Sequence, residues 1–478
     1  MDTLRDMRRL RRWVRIGAPD PWLTPVSGMA AVTELVVRLC MIRLLDAAVG
    51  RIKARDRGLS GGQLLVGLAC AQLAGEDFLV GLDRQRADVA GQVLAPVAGL
   101  SSTTAAGLAR RLSDGQWRAV ETGIGDIHTG MLAARAAALC EEVTIDLDTT
   151  DVEVYGPKKR GVAFNYQGQR CGRPHVASWA QTATVLAADL MAGDEDPRSH
   201  APGLLTRALA ALPAAARCGR IRLRADAGYF AGALARAAHV ADVEFAIGAK
   251  RIAPLWRILD GVADNEWTDA LDMPGAQVAV GAYCPDWWPA ATRLLIRRVR
   301  LNITAGQVSP DPRARRRRTL RPDQRALPLA ELDAVYGYSF IVTNLDVSTP
   351  GKAAAIEHCY RHRTEIENVF RDAKIGAALR HLPSGYPLVN TAWMWGALLA
   401  VSIAGWLHQL TATPGPGGRL TGHGVRDGQA MIATLRHKLI RVPARLIRHA
   451  GALDLRLPPG HHLLEKVLAR LRALPATS

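Results

Sequence analysis

The chain has 478 residues, of which 49% are hydrophobic and 22% are charged. This composition is typical of a soluble globular protein and excludes a disordered or fibrous one, and the length suggests about three domains. A net charge of +17, from 61 Lys and Arg against 44 Asp and Glu, favours a polyanionic partner such as nucleic acid.

The sequence lacks the patterns of a secreted or membrane-inserted protein. Its basic start is followed by Pro19, Asp20 and Pro21 instead of an apolar segment, so no cleavable signal is expected. The longest apolar stretch, residues 392–407, is shorter than the roughly 20 residues of a membrane-spanning helix. Seven scattered cysteines form no CxxC pair. We therefore expect a cytoplasmic protein with no membrane contact, disulfide framework or zinc ribbon.

The first part of the chain has the pattern of helices. Apolar residues recur at helical spacing between residues 22 and 139, and no long alternating run interrupts them. This predicts a helical N-terminal DNA-binding domain over residues 1–139. Ser101 is typical of a helix N-cap, and the helix that it starts would carry Arg110 and Arg111. A helix-turn-helix contact to DNA is one interpretation of this stretch.

The middle of the chain has the pattern of an α/β protein. Alternating segments at 143–148, 221–226 and 244–250 predict strands, and a further strand is predicted at 338–344. We expect one core formed by residues 140–250 and 336–412. A β-rich insertion is expected at 251–335, and a basic helical C-terminal region at 413–478.

Two of the predicted strands end in an aspartate directly before a turn, namely Asp148 and Asp226. The C-terminal ends of strands in α/β sheets face the crevice where ligands bind, so these residues are a candidate metal pair. Taken singly, each is equally well explained as an ordinary turn or N-cap residue. Asp146 remains an alternative to Asp148, because residues two apart share one face of a strand.

A charged helix is predicted at residues 359–374. At about 100° per residue, the four side chains of its polar stripe fall within roughly 60° of one another. That stripe consists of Tyr360, Arg363, Glu367 and Lys374. Glu365 points about 160° away from Glu367, which is therefore the better candidate for a site. Three carboxylates would suit Mg²⁺, and the cations would suit phosphates, although a solvated charged helix is the simpler alternative.

The spacing Tyr360-x-x-Arg363-x-x-x-Glu367-x-x-x-x-x-x-Lys374 resembles the YREK signature of bacterial insertion-sequence DDE transposases. Residues 148–156 resemble the first-aspartate motif of that family, and residues 224–229 resemble the second. Ala227 departs from the second motif, in which serine is more familiar. The resemblance covers about residues 144–383, with the motifs in the family's order.

The resemblance implies a ribonuclease-H-like catalytic core and cut-and-paste transposition with Mg²⁺, or Mn²⁺ in its place. It also implies a nucleoid-associated protein whose partners are double-stranded DNA, as terminal inverted repeats and target, and a second copy of the chain in a homodimer. A catalytically inactive relative that occupies the element ends is the alternative. The implied catalytic metal ligands are Asp148, Asp226 and Glu367, and the implied DNA contacts are Tyr360, Arg363 and Lys374.

Two weaker signals for DNA binding lie in the predicted insertion. An arginine run that includes Arg316 and Arg317 is equally well explained as a solvated loop or as a loop that contacts phosphates. Trp288, next to Trp287, could stack on an extruded base, although tryptophans are more often core residues.

The net charge of +17 predicts that duplex DNA binding weakens steeply as salt rises. Each phosphate neutralised by the protein releases condensed counterion, so the logarithm of affinity should fall linearly with the logarithm of salt concentration. A salt titration of DNA affinity measures this slope, and a flat line would contradict the polyanion argument.

Overall fold

The structure is a computed structural model that describes residues 16–55, 57–135, 139–301, 319–322, 335–414, 420–424 and 428–475. The predicted DNA contacts Arg316 and Arg317 lie outside these ranges. The helices α1 to α16 are Met29–Arg38, Met41–Val49, Gly61–Ala74, Gly81–Ala87, Val89–Leu94, Ser102–Ala109, Asp114–Arg135, Pro197–Ala210, Ala214–Arg217, Gly232–Val240, Ala253–Asp260, Pro350–Arg361, Glu365–Arg371, Pro387–Thr411, Ile432–Leu435 and Leu463–Arg472. The strands β1 to β16 are Leu23–Thr24, Glu142–Thr149, Val152–Glu153, Ala163–Phe164, Arg170–Trp179, Thr184–Ala192, Arg220–Ala225, Glu244–Ala249, Thr268–Asp269, Ala276–Gly281, Arg293–Arg300, Tyr336–Thr343, Thr413–Pro414, Leu420–Thr421, Ala444–His449 and Ala452–Arg456.

The N-terminal part is helical, as the apolar spacing predicts. The regular elements described between residues 29 and 135 are the helices α1 to α7. Ser101 caps α6, because its hydroxyl accepts the backbone N–H of Thr104 at 3.2 Å. Helix α3 is buried almost all round, and it packs against the long helix α14. The helical unit therefore shares one apolar core with the rest of the chain.

A large mixed sheet forms the centre of the molecule. Its main path runs β3-β5-β2-β7-β8-β12-β11-β10-β9, and β6 lies on the other side of β5. Strands β2, β7 and β8 are parallel to one another, whereas β5 and β6 form an antiparallel meander with β2. Parallel strands end at the same edge of a sheet, so residues that follow β2 and β7 lie close together.

The β-rich segment extends this sheet and is not separate from it. Strand β11 pairs with β12 over eight positions, and β12 pairs in turn with β8. The expected insertion therefore supplies strands to the core itself. The reason is physical, because pairing with β11 satisfies backbone groups of β12 that would otherwise be left at an open sheet edge.

Helix α14 is longer than the apolar stretch that predicts it. At 25 residues it is long and apolar enough to cross a membrane, but 89% of its most apolar window is buried inside the protein. It packs against α3 and β6, and the hydroxyl of Ser402 accepts the backbone N–H of Val185 at 3.0 Å. These contacts are those of a core helix.

The C-terminal region is not the basic helix that its charge pattern predicts. A short helix and a π-turn, Arg436–Ile440, are followed by the hairpin β15–β16, and β15 pairs with β1 near the start of the chain. Arg436 donates to the carbonyls of Leu73 and Gln72 at 2.7 and 2.8 Å and also to that of Gly376. The C-terminal end of a helix binds cations well, so Arg436 stabilises the fold by capping the last carbonyls of α3.

Arg436→Met should lower the free energy of unfolding by about 2–3 kcal/mol, because three carbonyls lose a charged donor. Arg445→Met is the matched control. Arg445 forms an ion pair with Asp20 at 3.2 Å, and its side chain is 56% exposed, so its loss should change stability by less than about 0.5 kcal/mol. Urea unfolding measures both variants, and equal effects would contradict this role of Arg436.

Candidate active site

The site begins with two aspartates at the ends of neighbouring parallel strands. Leu147 of β2 lies opposite Ala225 of β7, so the next residues, Asp148 and Asp226, lie side by side at a strand spacing of about 4.8 Å. We call these two residues the aspartate pair. The side chain of Asp226 also accepts the N–H of Gly228 at 2.8 Å, which holds the turn that follows β7. Both aspartates are only partly buried.

Asp146 has a different environment from Asp148, although both lie on one face of β2. Asp146 is fully buried, and Arg224 donates two hydrogen bonds to it at 2.7 and 2.8 Å. Burial raises the pKa of Asp146 to about 6, and the Arg224 guanidinium acts against that shift. Asp146 is thus occupied by a structural ion pair, whereas Asp148 lies at the open end of the strand.

The predicted helix over residues 359–374 is interrupted. Helix α12 passes through a 3-10 turn, His362–Thr364, into α13, which ends in a π-turn, Asp372–Gly376. A single phase of 100° per residue therefore does not hold across the segment. Arg363 nevertheless donates to Asp148 at 3.0 Å, and Lys374 donates to the carbonyl of Asp151 at 2.7 Å.

Tyr360 also lies at the ends of the strands. Its hydroxyl fills the space above Gly248, where a Cβ atom would come within 2.4 Å of the tyrosine oxygen and within 2.8 Å of the Ala227 nitrogen. Burial raises the pKa of Tyr360 to about 12; Arg363 acts against this shift, and the charge of Asp226 adds to it. Three members of the predicted stripe, namely Tyr360, Arg363 and Lys374, therefore line the edge that carries the aspartate pair.

Glu367, the fourth member, does not join them. Its side chain is exposed, and the described residues contain no group of three or more His, Cys, Asp or Glu side chains placed to hold a metal ion. Glu365, expected to point away from the site, instead accepts a hydrogen bond from Arg224 at 3.2 Å. The 3-10 turn accounts for this difference, because it changes the rotation between Arg363 and the helix that follows.

The aspartate pair has the electrostatics of a cation site. Burial and the neighbouring charge of Asp226 raise the pKa of Asp148 to about 6, while Arg363 acts to lower it. Two carboxylates that repel each other gain from a divalent ion between them. Their hard oxygen atoms are the ligands that Mg²⁺ prefers, so the donor set fits such an ion.

Sequence reasoning did not single out Tyr229, which lies beside the pair. Its side chain is 1% exposed, and its hydroxyl has no hydrogen-bond partner among the residues that the structure describes. Burial first, and then the charges of Asp148 and Asp226, raise the pKa of Tyr229 well above its usual range. The residue lies within the second-aspartate motif, but only the turn after β7 shows that its ring is directed towards the pair.

The ring of Trp288 is buried in the core, contrary to its predicted contact with DNA. It is 5% exposed and packs against Phe230 at 5.2 Å and Tyr283 at 6.4 Å between ring centroids. A ring in this position cannot stack on an extruded base, so the predicted DNA contact of Trp288 is wrong for this structure. Trp287, its neighbour, is 60% exposed.

Paired carboxylates at the ends of parallel strands, faced by an arginine and a lysine, define an α/β protein suited to phosphate-bearing substrates. The family described as Transposase DDE domain group 1 matches residues 23–308 and 329–476. Because the match spans most of the chain, the protein belongs to this family of DDE transposases.

The comparisons with curated proteins and with solved structures give less information about the family than the family model does. A search of curated proteins finds no match. Among solved structures, a piggyBac transposase synaptic complex with hairpin DNA is similar at 9% identity with a TM-score of 0.40. The similarity covers 94% of this chain and 82% of that one.

Asp148→Asn should change how stability depends on pH. The pKa of Asp148 in the folded protein, about 6, lies above its unfolded value near 4. Ionisation of this group therefore costs stability progressively as pH rises from about 4 to 6. The variant lacks that cost, so it should gain about 1–2 kcal/mol relative to the wild type between pH 4.5 and 7.

Asp151→Asn is the control, because hydrogen bonds from Arg173 and Asn165 lower the pKa of Asp151 against the opposing effect of burial. The stability contributed by ionised Asp151 is fully present above the pKa of this group in the unfolded chain, and it is lost only as pH falls through the lower pKa of the folded protein. This variant should show no such gain between pH 4.5 and 7. Urea unfolding at pH 4.5 and pH 7 measures the free energy of unfolding of both variants. A gain in stability for Asp151→Asn alone would contradict the raised pKa assigned to Asp148.

Proposed function

We propose that the protein catalyses cut-and-paste transposition of an insertion sequence, by metal-dependent phosphodiester hydrolysis followed by strand transfer. The observation that carries the proposal is the aspartate pair at the ends of β2 and β7, with Arg363 placed at 3.0 Å from Asp148. A site that joins acidic metal donors to cations has the two kinds of group that phosphoryl transfer on DNA requires.

We propose that the catalytic core is ribonuclease-H-like. Support comes from the strand order β6-β5-β2-β7-β8, in which three antiparallel strands are followed by two that run parallel to β2. This order puts the strand of the first aspartate next to the strand of the second. Residues far apart in sequence thus share one edge of the sheet.

In this proposal, Asp148 and Asp226 would hold Mg²⁺, or Mn²⁺ in its place, and Glu367 would be the third ligand after a movement of its side chain. The bound ions would activate the attacking oxygen and stabilise the leaving oxygen. Arg363 would leave Asp148 for a phosphate of the DNA, because a guanidinium binds phosphate and carboxylate with the same two-pronged geometry. The exchange would free the Asp148 carboxylate when DNA arrives.

Lys374 and Tyr360 would fix the DNA end on either side of the reacting phosphate. Among the residues that the structure describes, the ammonium of Lys374 donates one hydrogen bond, to the carbonyl of Asp151, so two of its three donors remain for phosphate oxygens. The Tyr360 hydroxyl lies over the turn of Asp226. The proposed partners are the terminal inverted repeats, the target DNA and a second copy of the chain.

A second candidate function is that of a catalytically inactive relative that occupies element ends. The exposed position of Glu367, apart from the aspartate pair, favours it. Incubation of the purified protein with Mg²⁺ and the DNA that flanks its own gene distinguishes the two candidate functions. Strand cleavage on a denaturing gel supports transposition, whereas retained DNA without cleavage supports the inactive relative.

Asp148→Ala and Asp226→Ala should each lower the cleavage rate by several orders of magnitude, because each removes an oxygen ligand from the metal site. Binding to end DNA should stay nearly intact, and Asp148→Ala should not weaken it, since Arg363 becomes free for phosphate. Cleavage and gel-shift assays measure the two properties separately. Activity that persists in Asp148→Ala and disappears in Asp146→Ala, without unfolding, would reverse the choice between these aspartates.

Glu367→Gln keeps the size of the side chain but removes the charge that a Mg²⁺ ligand needs, so it should stop cleavage and spare DNA binding. Glu365→Gln is the matched control. A glutamine at position 365 can still accept the hydrogen bond from Arg224, so this variant should stay active. An inactive Glu365→Gln together with an active Glu367→Gln would contradict the assignment of the third carboxylate.

A further inference from the structure

The segment that connects β3 to the start of β5 carries aromatic rings into solvent. We call residues 155–170 the aromatic ribbon. Tyr155, Phe164 and Tyr166 are 85%, 65% and 89% exposed, which makes them the most exposed aromatic side chains that the structure describes. Exposed apolar rings grouped on one short segment mark an interaction site more often than scattered ones do.

The charge of the aromatic ribbon has one sign. Its 16 residues include the cations Lys158, Lys159, Arg160 and Arg170 and no aspartate or glutamate. Lys158 and Arg160 are exposed. The nearby Glu153 accepts a hydrogen bond from the Tyr155 hydroxyl at 2.8 Å, which leaves both faces of that ring available. Aromatic faces among cations suit a ligand that combines flat apolar rings with negative charge.

Hydrogen bonds hold the backbone of the aromatic ribbon in place. Arg170 donates to the carbonyls of Gly156 and Lys159, both at 2.6 Å. Asn165 accepts the N–H groups of Gln167 and Gln169 at 3.0 and 2.9 Å, which closes the turn that carries Tyr166. The rings are therefore presented on a preorganised frame, so a ligand would meet little ordering cost on binding.

The same frame is joined to the candidate active site. Asn165 donates to the carboxylate of Asp151 at 2.8 Å, and the carbonyl of Asp151 accepts the ammonium of Lys374. Asp148 lies opposite Val176 on β5, six residues from Arg170, which at about 3.3 Å per residue puts the ribbon roughly 20 Å from the pair. That distance spans about six nucleotides of a B-form strand.

We propose that the aromatic ribbon binds unpaired bases of the DNA strand that leaves the aspartate pair, about six nucleotides or fewer from the reacting phosphate. The inference rests on the proposed function. Paired bases hide their faces inside the duplex and offer only edges and phosphates, whereas unpaired bases offer faces to exposed rings. The ribbon thus binds single-stranded ends of DNA, whose bases are not paired with a complementary strand.

The test measures binding in EDTA, without cleavage, by fluorescence anisotropy with three probes. They are a 20-base-pair duplex, the same duplex with an eight-nucleotide overhang of mixed sequence, and the same duplex with an eight-nucleotide abasic overhang. The abasic probe keeps the phosphates and removes the rings. Wild-type protein should bind the normal overhang at least tenfold more tightly than the abasic one, in keeping with base stacking on an aromatic side chain.

The combined variant Tyr155→Ala, Phe164→Ala, Tyr166→Ala should lose that tenfold preference and keep its affinity for the plain duplex. Tyr155→Phe with Tyr166→Phe keeps the rings and should retain the preference. Trp287→Ala, which removes an exposed ring outside the ribbon, is the matched control and should behave as wild type. The three side chains are exposed, so their loss should leave the melting temperature unchanged within about two degrees.

Two results would overturn the proposal: equal affinity of the wild type for normal and abasic overhangs, or a preserved preference in the triple alanine variant. Both leave the proposed function intact, because plain-duplex binding and Mg²⁺-dependent cleavage report on it separately. If the protein prefers normal overhangs but does not cleave DNA, the result supports base binding by the ribbon and contradicts the proposed catalytic function.

Discussion

The repulsion between two carboxylates at adjacent strand ends is the constraint on which the site depends. The register of β2 and β7 forces Asp148 and Asp226 together, and burial with the neighbouring charge of Asp226 makes the charge of Asp148 costly. Arg363 offsets part of that cost from the facing helix. The same three groups that make the edge electrostatically unfavourable are those that the proposed function assigns to metal ions and phosphates, so stability and the proposed function are in opposition at this edge.

The rest of the fold holds the helix that brings Arg363 to this position. Asp372, in the π-turn after α13, accepts the backbone N–H of Ile432 at 2.7 Å, and Arg436 binds the carbonyl of Gly376 in the same turn as well as the end of α3. The N-terminal helices, the C-terminal segment and the helix over the site are thus tied at one point. The loss of stability expected for Arg436→Met would measure how strongly this junction is held.

The aromatic ribbon and the aspartate pair are two ends of one line of contacts. Asp151 follows Asp148 by three residues in the chain, and it accepts hydrogen bonds from Asn165 of the ribbon and from Lys374. In the proposed function, cations along this line would follow a DNA backbone, the carboxylates would hold the metal ions that act on its phosphate, and the rings would bind its bases.

The sequence by itself determined the local features of this protein. Alternation predicted β2, β7 and β8, spacing predicted the N-terminal helices, and the motifs around Asp148 and Asp226 indicated a DDE transposase, in agreement with the family match. Tertiary structure decided what depends on partners distant in the chain. It buried Asp146 against Arg224, turned Glu367 to solvent through a 3-10 turn, and placed Trp288 in the core. It also placed Arg436 at the C-terminal end of α3, and it made β9, β10 and β11 part of the main sheet. Periodicity reports which residues share a face of one element, but the direction of that face, and the charges it meets, are fixed only when the elements pack.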